Sequence, residues 1–243
     1  MSIRRSKTKV LVDGGDPQET VRVKGLIGFV DGQTTNPTLI ARNPEVRQLI
    51  SSGHKFSTKE ELDEYKKIVQ AISPLVGDAG VSIEVFADFD TTGEQMLAQG
   101  RDMFSWIPNA YVKYPCTHEG LRAAQMSVRE GIRVNMTLCF SQEQAAAVYA
   151  ATKGSKDPVY VSPFLGRLDD QGQNGVDLVR NIKRCTKPQM ATCTFWRRAF
   201  VFSTTCLLRL PCKLNLRRPH LRCGRNGPPH LFHCRKRILC TKG

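Results

Sequence analysis

The chain alternates short apolar runs, rich in β-branched residues, with longer stretches in which apolar residues recur at helical spacing. Runs of the first kind predict strands, and stretches of the second kind predict amphipathic helices. Six apolar runs predict six strands, at residues 9–13, 28–31, 81–86, 110–114, 132–136 and 159–162. The intervening stretches predict helices at residues 17–24, 38–51, 58–75, 91–104, 117–130, 141–151 and from 175 to 184. Six strand–helix units in succession indicate a parallel α/β fold, either a barrel or a doubly wound sheet.

Polar residues interrupt these apolar runs or follow them closely, near the carboxyl ends of the predicted strands. They are Asp13, Asn36, Glu84, Lys113, Asn135, Thr137 and Ser162. In a (β/α)8 barrel the carboxyl ends of all strands meet at one face, where active sites form. Any one of these residues could be a solvated strand end, but buried charges on several strands are costly unless they meet and pair. The pattern therefore favours a barrel.

Lys113 lies in the middle of the apolar run AYVKYP. A lysine buried in a strand loses its charge more readily, and its neutral amine can attack a carbonyl group. Taken alone, Lys113 is better explained as an edge-strand lysine that points to solvent. Glu84 and Asp13, on neighbouring predicted strands, would supply a base and a charge partner. These three residues together favour a nucleophilic lysine.

Several segments of the chain closely resemble the transaldolase family, in order and at the family's spacing. They are DGQTTNPTLIA (31–41), VSIEV (81–85), AYVKYP running into THEGLRAA, GIRVNMTLCFSQEQA (131–145) and VSPFLGRLDD (161–170). The resemblance covers almost all of residues 9–184. It implies a (β/α)8 TIM barrel and a Schiff-base-forming enzyme of sugar phosphates.

The resemblance implies catalytic roles for four residues that match the family's motifs. Lys113 would form the Schiff base with the carbonyl group of a ketose phosphate. Asp13 would be the general acid/base for cleavage of the C3–C4 bond. Glu84 and Thr137 would hold the water that transfers protons while the carbinolamine is dehydrated. This chemistry requires neither a metal nor a cofactor.

Four further residues are assigned to substrate binding by the same resemblance. Asn36 and Asn135 would hydrogen-bond the retained dihydroxyacetone unit, and Ser162 and Arg167 would help to bind the phosphate group. The partners expected are therefore sugar phosphates, and the intact family fold can form homo-oligomers. His54 and His118 are interpreted as surface or helix-cap residues and not as metal ligands.

The activity implied is transfer of a dihydroxyacetone unit from sedoheptulose 7-phosphate or fructose 6-phosphate to an aldose phosphate, in the non-oxidative pentose phosphate pathway. A fructose-6-phosphate aldolase-like lyase is the alternative within the same fold. The two differ in whether free dihydroxyacetone is released without an acceptor.

Charge is distributed very unevenly along the chain. Residues 1–184 contain 23 Lys and Arg against 22 Asp and Glu, whereas residues 185–243 contain 13 Lys and Arg and no acidic residue. The overall net charge of +14 therefore comes almost entirely from residues 185–243, and it does not indicate a specific nucleic-acid partner.

No apolar run reaches membrane-spanning length, and the first ten residues lack the apolar core of a signal peptide, so a cytoplasmic protein without a membrane partner is expected.

The tail, residues 185–243, shows no helical or strand periodicity and carries seven of the nine cysteines. We interpret it as an off-frame sequence that follows a one-nucleotide deletion after Arg184. Codons compatible with residues 185–200, with one A restored, encode MYKAPDGHVHVLAASVR, which resembles the family's missing seventh-strand segment. A zinc site is the rival interpretation, but the spacing of its candidate ligands fits no zinc-binding pattern; they are Cys223, His230, His233, Cys234 and Cys240.

Under this hypothesis strands seven and eight of the barrel are replaced by an unrelated basic tail. An open remnant would leave strand edges and apolar faces uncovered. The chain is then an inactive or nearly inactive fragment of a transaldolase, with poor solubility and at most trace turnover.

Overall fold

The computed structural model describes residues 9–186, and side chains as far as Ile182. Six strands are present in this part of the chain: β1 (Leu11–Asp13), β2 (Gly32–Thr34), β3 (Gly80–Glu84), β4 (Ala110–Pro115), β5 (Val134–Cys139) and β6 (Tyr160–Pro163). Nine helices connect or follow them: α1 (Pro17–Ile27), α2 (Pro37–Ile40), α3 (Pro44–Ser51), α4 (Thr58–Ile72), α5 (Gly93–Ser105), α6 (His118–Arg129), α7 (Gln142–Ala151), α8 (Leu165–Asp170) and α9 (Gly175–Thr186). One 3-10 turn, Ser73–Leu75, follows α4.

All six strands are parallel and lie in chain order, β1-β2-β3-β4-β5-β6. Sequential parallel pairing with a helical crossover after each strand is the connectivity of a (β/α)8 barrel, whereas a doubly wound sheet reverses its strand order. The curled sheet is therefore the first part of a TIM barrel, which confirms the predicted α/β class. The tail interpreted as off-frame lies outside the described residues, except for Cys185 and Thr186 at the end of α9.

One face of the sheet packs against the helices and forms the hydrophobic core. Strand residues at alternate positions enter this core: Val81, Ile83, Val112, Tyr114, Val134, Met136 and Val161. Helical residues complete it, among them Ile68, Val69, Ile72, Met96, Met103, Ala123, Ala124 and Val148. Since successive side chains of a strand point to opposite faces, the residues between these positions line the concave face.

The second strand lies four residues later than its apolar pattern predicts. The prediction at residues 28–31 is wrong because Gly28 adopts a left-handed conformation, with φ of 82°, and ends α1. Asp31 accepts a hydrogen bond from the Val10 backbone N–H at 2.8 Å and precedes the strand. The true β2 has the sequence Gly-Gln-Thr. Its side chains are polar, so it lacks the apolar run that marks the other strands.

The helix predicted over residues 38–51 is two helices, α2 and α3, with a break at Asn43. The break follows from Pro44, which disfavours a helical conformation at the residue before it. Asn43 has φ of −54° and ψ of 135°, and its side chain caps α3 by accepting the Glu45 N–H. Helix α8 is a further element that the sequence pattern did not predict. None of the helices within residues 9–186 is both long and apolar enough to cross a membrane.

Candidate active site

Lys113 lies in the middle of β4, a strand in which every residue is buried. Only 4% of Lys113 is exposed to solvent. Its Nζ lies 3.1 Å from Oε2 of Glu84 and donates a hydrogen bond to the backbone carbonyl of Thr35 at 3.3 Å. Glu84 is the register partner of Lys113 across the β3–β4 ladder, so the strand pairing itself brings amine and carboxylate together. A buried lysine with a carboxylate within hydrogen-bond distance is a suitable nucleophile with an adjacent base.

Asp13 ends β1, and its side chain contributes to the electrostatic field around Lys113. Burial raises the pKa of the Asp13 carboxyl group above its ordinary value, and the positive charges of Lys113 and Arg42 partly oppose that rise. A carboxyl group whose pKa is raised holds a proton more readily, which suits a group that must both accept and return one.

The turn after Asp13 is held by two buried amide side chains that the sequence analysis missed. Gln33 Nε2 donates to the carbonyl of Gly14 at 2.9 Å, and Asn43 Nδ2 donates to the carbonyl of Gly15 at 2.9 Å. Gly15 also approaches the backbone of α2 so closely that a Cβ atom would lie 2.5 Å from the Leu39 carbonyl oxygen. These contacts fix the chain directly after Asp13.

Asn135 and Ser162 belong to a chain of hydrogen bonds across the concave face. Asn135 Nδ2 donates to Ser82 Oγ at 3.0 Å, and Ser162 Oγ donates to Asn135 Oδ1 at 2.8 Å. All three residues are buried, and Asn135 is the β5 register partner of Lys113. Ser82 was not among the predicted residues, although its position two before Glu84 in β3 is a signal that could have found it.

Thr137 follows Asn135 by two positions in β5 and is 1% exposed. Its Oγ1 is buried and has no hydrogen-bond partner among the described residues, and the same holds for Thr34 Oγ1. The sheet register shifts between Met136 and Cys139, where Leu138 has φ of 59°. Leu138 is the only non-glycine residue in the described part of the chain with a positive φ. Such local strain is concentrated at functional sites, and a buried hydroxyl group without a partner can bind a water molecule or a substrate oxygen.

The remaining predicted residues lie around this cluster. Asn36 directly follows Thr35, and its side-chain oxygen caps α2 by accepting the Leu39 N–H at 2.9 Å. Arg167 is exposed on α8, the helix that follows β6, and makes no hydrogen bond or ion pair with another predicted site residue in the described part of the chain. The structure therefore pairs Lys113 with Glu84 and bonds Ser162 to Asn135, the register partner of Lys113. Arg167 forms no hydrogen bond or ion pair with these four residues in the described part of the chain.

The two histidines interpreted as surface residues are both exposed. His118 begins α6, and its Nδ1 lies 2.9 Å from Glu119 Oε1. His54 Nε2 lies 3.5 Å from Glu60 Oε1. The five candidate zinc ligands of the tail lie outside the described residues.

Comparison with known proteins assigns the chain to a family. The family model described as Transaldolase/Fructose-6-phosphate aldolase matches residues 10–206, and so extends past Arg184. The chain belongs to this family. The resemblance inferred from the sequence motifs is thereby confirmed.

Among curated relatives of this transaldolase-family chain, a "Probable transaldolase" of Dehalococcoides mccartyi is 41% identical over 160 residues, 65% of this chain and 62% of the relative. A "Probable transaldolase" of Lactiplantibacillus plantarum is 42% identical over 158 residues, 65% of this chain and 60% of the relative. The chain thus spans about three fifths of the length of these relatives. A solved enolase of the mandelate racemase subgroup from Agrobacterium tumefaciens has a TM-score of 0.42 and 9% identity, covering 75% of this chain and 45% of that one, which is too weak a likeness to indicate function.

Proposed function

We propose that the cluster around Lys113 performs the Schiff-base chemistry of a transaldolase. A dihydroxyacetone unit would pass from sedoheptulose 7-phosphate or fructose 6-phosphate to an aldose phosphate, as in the non-oxidative pentose phosphate pathway. The observation that carries the proposal is the 3.1 Å contact between the buried Lys113 Nζ and the Glu84 carboxylate. Family membership and the names of the curated relatives support the same activity.

In the first step the Lys113 amine attacks the ketose carbonyl carbon, and the carbonyl oxygen takes up a proton to give a carbinolamine. Loss of that oxygen as water then leaves an iminium ion on Lys113. Glu84 and Thr137 hold the water that transfers these protons. The buried Thr137 Oγ1, which has no hydrogen-bond partner among the described residues, supports this role because it can bind a water molecule without breaking an existing contact.

In the second step Asp13 takes the proton of the C4 hydroxyl group, and the C3–C4 bond breaks. The electron pair of that bond moves into the iminium group, so an aldose leaves and an enamine stays on Lys113. An acceptor aldose phosphate reverses the step, and Asp13 returns the proton. The raised pKa of Asp13 supports this role because the protonated acid persists closer to neutral pH.

Substrate recognition is assigned to Asn36, Asn135, Ser162 and Arg167. The Ser82–Asn135–Ser162 chain of hydrogen bonds fixes the orientation of the Asn135 amide beside Lys113, which suits a group that binds the hydroxyl groups of dihydroxyacetone. Arg167 is exposed on α8, the helix that follows β6, and its guanidinium group would form charge-assisted hydrogen bonds with the phosphate group of the substrate.

An assay of group transfer tests the proposal against the aldolase alternative. Purified protein is given fructose 6-phosphate with and without erythrose 4-phosphate. The expected result is sedoheptulose 7-phosphate formed only with the acceptor, at the trace rate expected of a chain whose reading frame shifts after Arg184. Release of free dihydroxyacetone at the same rate without acceptor would instead identify a lyase.

We propose further that residues 185–243 are encoded in a shifted frame. The absence of acidic residues among these 59 positions supports it, as does the continuous segment MYKAPDGHVHVLAASVR recovered by one added nucleotide. The gene sequence around codon 185 tests this proposal. A nucleotide sequence that cannot encode LAASVR in any frame overturns it, and one that does encode it predicts a gain of turnover when the frame is restored.

A further inference from the structure

Tyr65 is a fully buried tyrosine of α4, on the helix-covered side of the sheet. Its ring packs edge-on against Phe86 and Trp106, with centroids 6.2 Å and 5.9 Å apart. Its hydroxyl oxygen lies 2.8 Å from Thr35 Oγ1 and accepts a hydrogen bond from the Glu84 backbone N–H at 2.9 Å. The hydroxyl group thus bonds Thr35, which directly follows β2, and Glu84, the last residue of β3.

The donors and acceptors around Tyr65 fix the direction of each hydrogen bond. Thr35 Oγ1 donates its single proton to the carbonyl of Ser82 at 2.8 Å, so it can only accept from Tyr65. The Tyr65 hydroxyl group therefore donates to Thr35 and accepts from Glu84. The result is one continuous chain from the Glu84 N–H, through Tyr65 and Thr35, to the Ser82 carbonyl, and every donor in it is used.

The two residues that Tyr65 joins are both also bonded to Lys113. Lys113 Nζ donates to the backbone carbonyl of Thr35 at 3.3 Å and pairs with the Glu84 carboxylate at 3.1 Å. Tyr65 itself lies on the opposite side of these strands and has no hydrogen bond to Lys113. The hydrogen bonds of its hydroxyl group therefore connect it to the lysine through Thr35 and Glu84.

We propose that Tyr65 is a positioning residue of the active site, which holds Thr35 and Glu84 at the separation that Lys113 requires. This inference rests on the proposed function, since it concerns how Lys113 is presented to a carbonyl substrate. Without the hydroxyl group, the Glu84 N–H and Thr35 Oγ1 lose their shared partner, and the ends of β2 and β3 can move apart. Small displacements of catalytic groups lower rates strongly while the protein stays folded.

The test uses the full-length protein and reductive trapping, in which borohydride reduces the iminium ion formed with dihydroxyacetone. Intact-mass spectrometry gives the rate of labelling as a function of dihydroxyacetone concentration. In Tyr65→Phe the maximal rate of labelling is expected to fall by about ten- to a hundredfold. The concentration that gives half-maximal labelling is expected to stay unchanged, because Tyr65 does not face the substrate.

Tyr114→Phe is the matched control. Tyr114 is also fully buried, lies directly beside Lys113 in β4, and bonds Ser127 Oγ of α6 through its hydroxyl group at 2.9 Å. Both variants lose one buried hydroxyl group, so both should lower the unfolding temperature, but Tyr114→Phe should label at the wild-type rate. A second variant, Thr35→Val, breaks the same chain at its other end and should slow labelling as Tyr65→Phe does.

The outcomes separate this inference from the proposed function. If wild-type protein is labelled and Tyr65→Phe is labelled equally fast, Tyr65 has no positioning role. Equal slowing in Tyr65→Phe and Tyr114→Phe also overturns the inference, because it indicates a general effect of stability. If wild-type protein is not labelled at all, the proposed Schiff-base chemistry fails, and the inference fails with it.

Discussion

The two faces of the six-stranded sheet are built from the same strands but hold their side chains by different means. On the helix-covered face, Val112, Ile83 and Met136 are fully buried among apolar residues. On the concave face, at alternating positions of the same strands, Lys113, Ser82 and Asn135 are buried with polar partners. Burial on the first face stabilises the fold, whereas burial on the second costs free energy that only hydrogen bonds and ion pairs offset. The apolar packing that stabilises the fold and the polar groups proposed to carry the chemistry thus lie on opposite sides of each strand.

The largest effect should come from Glu84→Gln on the concave face. Glutamine keeps the size of the side chain but cannot act as a base toward Lys113. Labelling of the protein by dihydroxyacetone and borohydride should slow by about a hundred- to ten-thousandfold, the usual contribution of a general acid/base. Rates are compared well below the unfolding temperature of each protein. A wild-type labelling rate in Glu84→Gln contradicts the assignment of chemistry to this face.

Ile83→Val, one position before Glu84 but on the helix-covered face, should have the opposite profile. Removing one methylene group from a fully buried side chain should lower the free energy of unfolding by about 0.5–1.5 kcal/mol. Denaturant unfolding measures that loss, and the labelling rate of the folded protein should equal the wild-type rate. Slowing comparable to that of Glu84→Gln would show that the apolar packing of the helix-covered face also sets the rate of labelling.

The smallest effect is expected in the pH dependence of stability of Asp13→Asn. Burial raises the folded-state pKa of Asp13, so the wild-type protein gains stability from its protonated form at low pH and loses it as pH rises through that pKa. Asparagine has no such dependence. At neutral pH the variant should unfold at a higher temperature than the wild type, and the difference should vanish as the pH falls below the ordinary range for aspartate, about 3.9. The prediction is contradicted if Asp13→Asn unfolds at a lower temperature than the wild type at neutral pH and this difference disappears at low pH. That result would mean that folding lowers the pKa of Asp13.

The concave-face residues that sequence alone predicted share one signal, a polar residue at an alternate position of an apolar strand. Lys113 in AYVKYP and Glu84 in VSIEV are both of this kind, and their strands lie within two residues of the predicted bounds. Strand alternation is local, so a single sequence can reveal it. The parallel order of the strands followed from the alternation of strands and helices in the same way.

What the sequence did not reveal depends on contacts between distant residues. β2 was misplaced because its buried Gln33 is satisfied by Thr20 and by the Gly14 carbonyl, partners that no local pattern indicates. Tyr65 looks like one more apolar position of the amphipathic α4. Its hydroxyl group meets partners 30 and 19 positions away along the chain, at Thr35 and Glu84. Polar contacts of this kind become visible only once the fold has brought the elements together.

Locating the modified residue after reductive trapping tests most directly whether Lys113 is the nucleophile. Wild-type protein is incubated with fructose 6-phosphate and borohydride, digested, and mapped by mass spectrometry, with Lys113→Met as the control. A stable dihydroxyacetone adduct is expected on the peptide that contains Lys113, and no adduct is expected in Lys113→Met. An adduct on another lysine in both proteins would contradict the identification of Lys113 as the nucleophile.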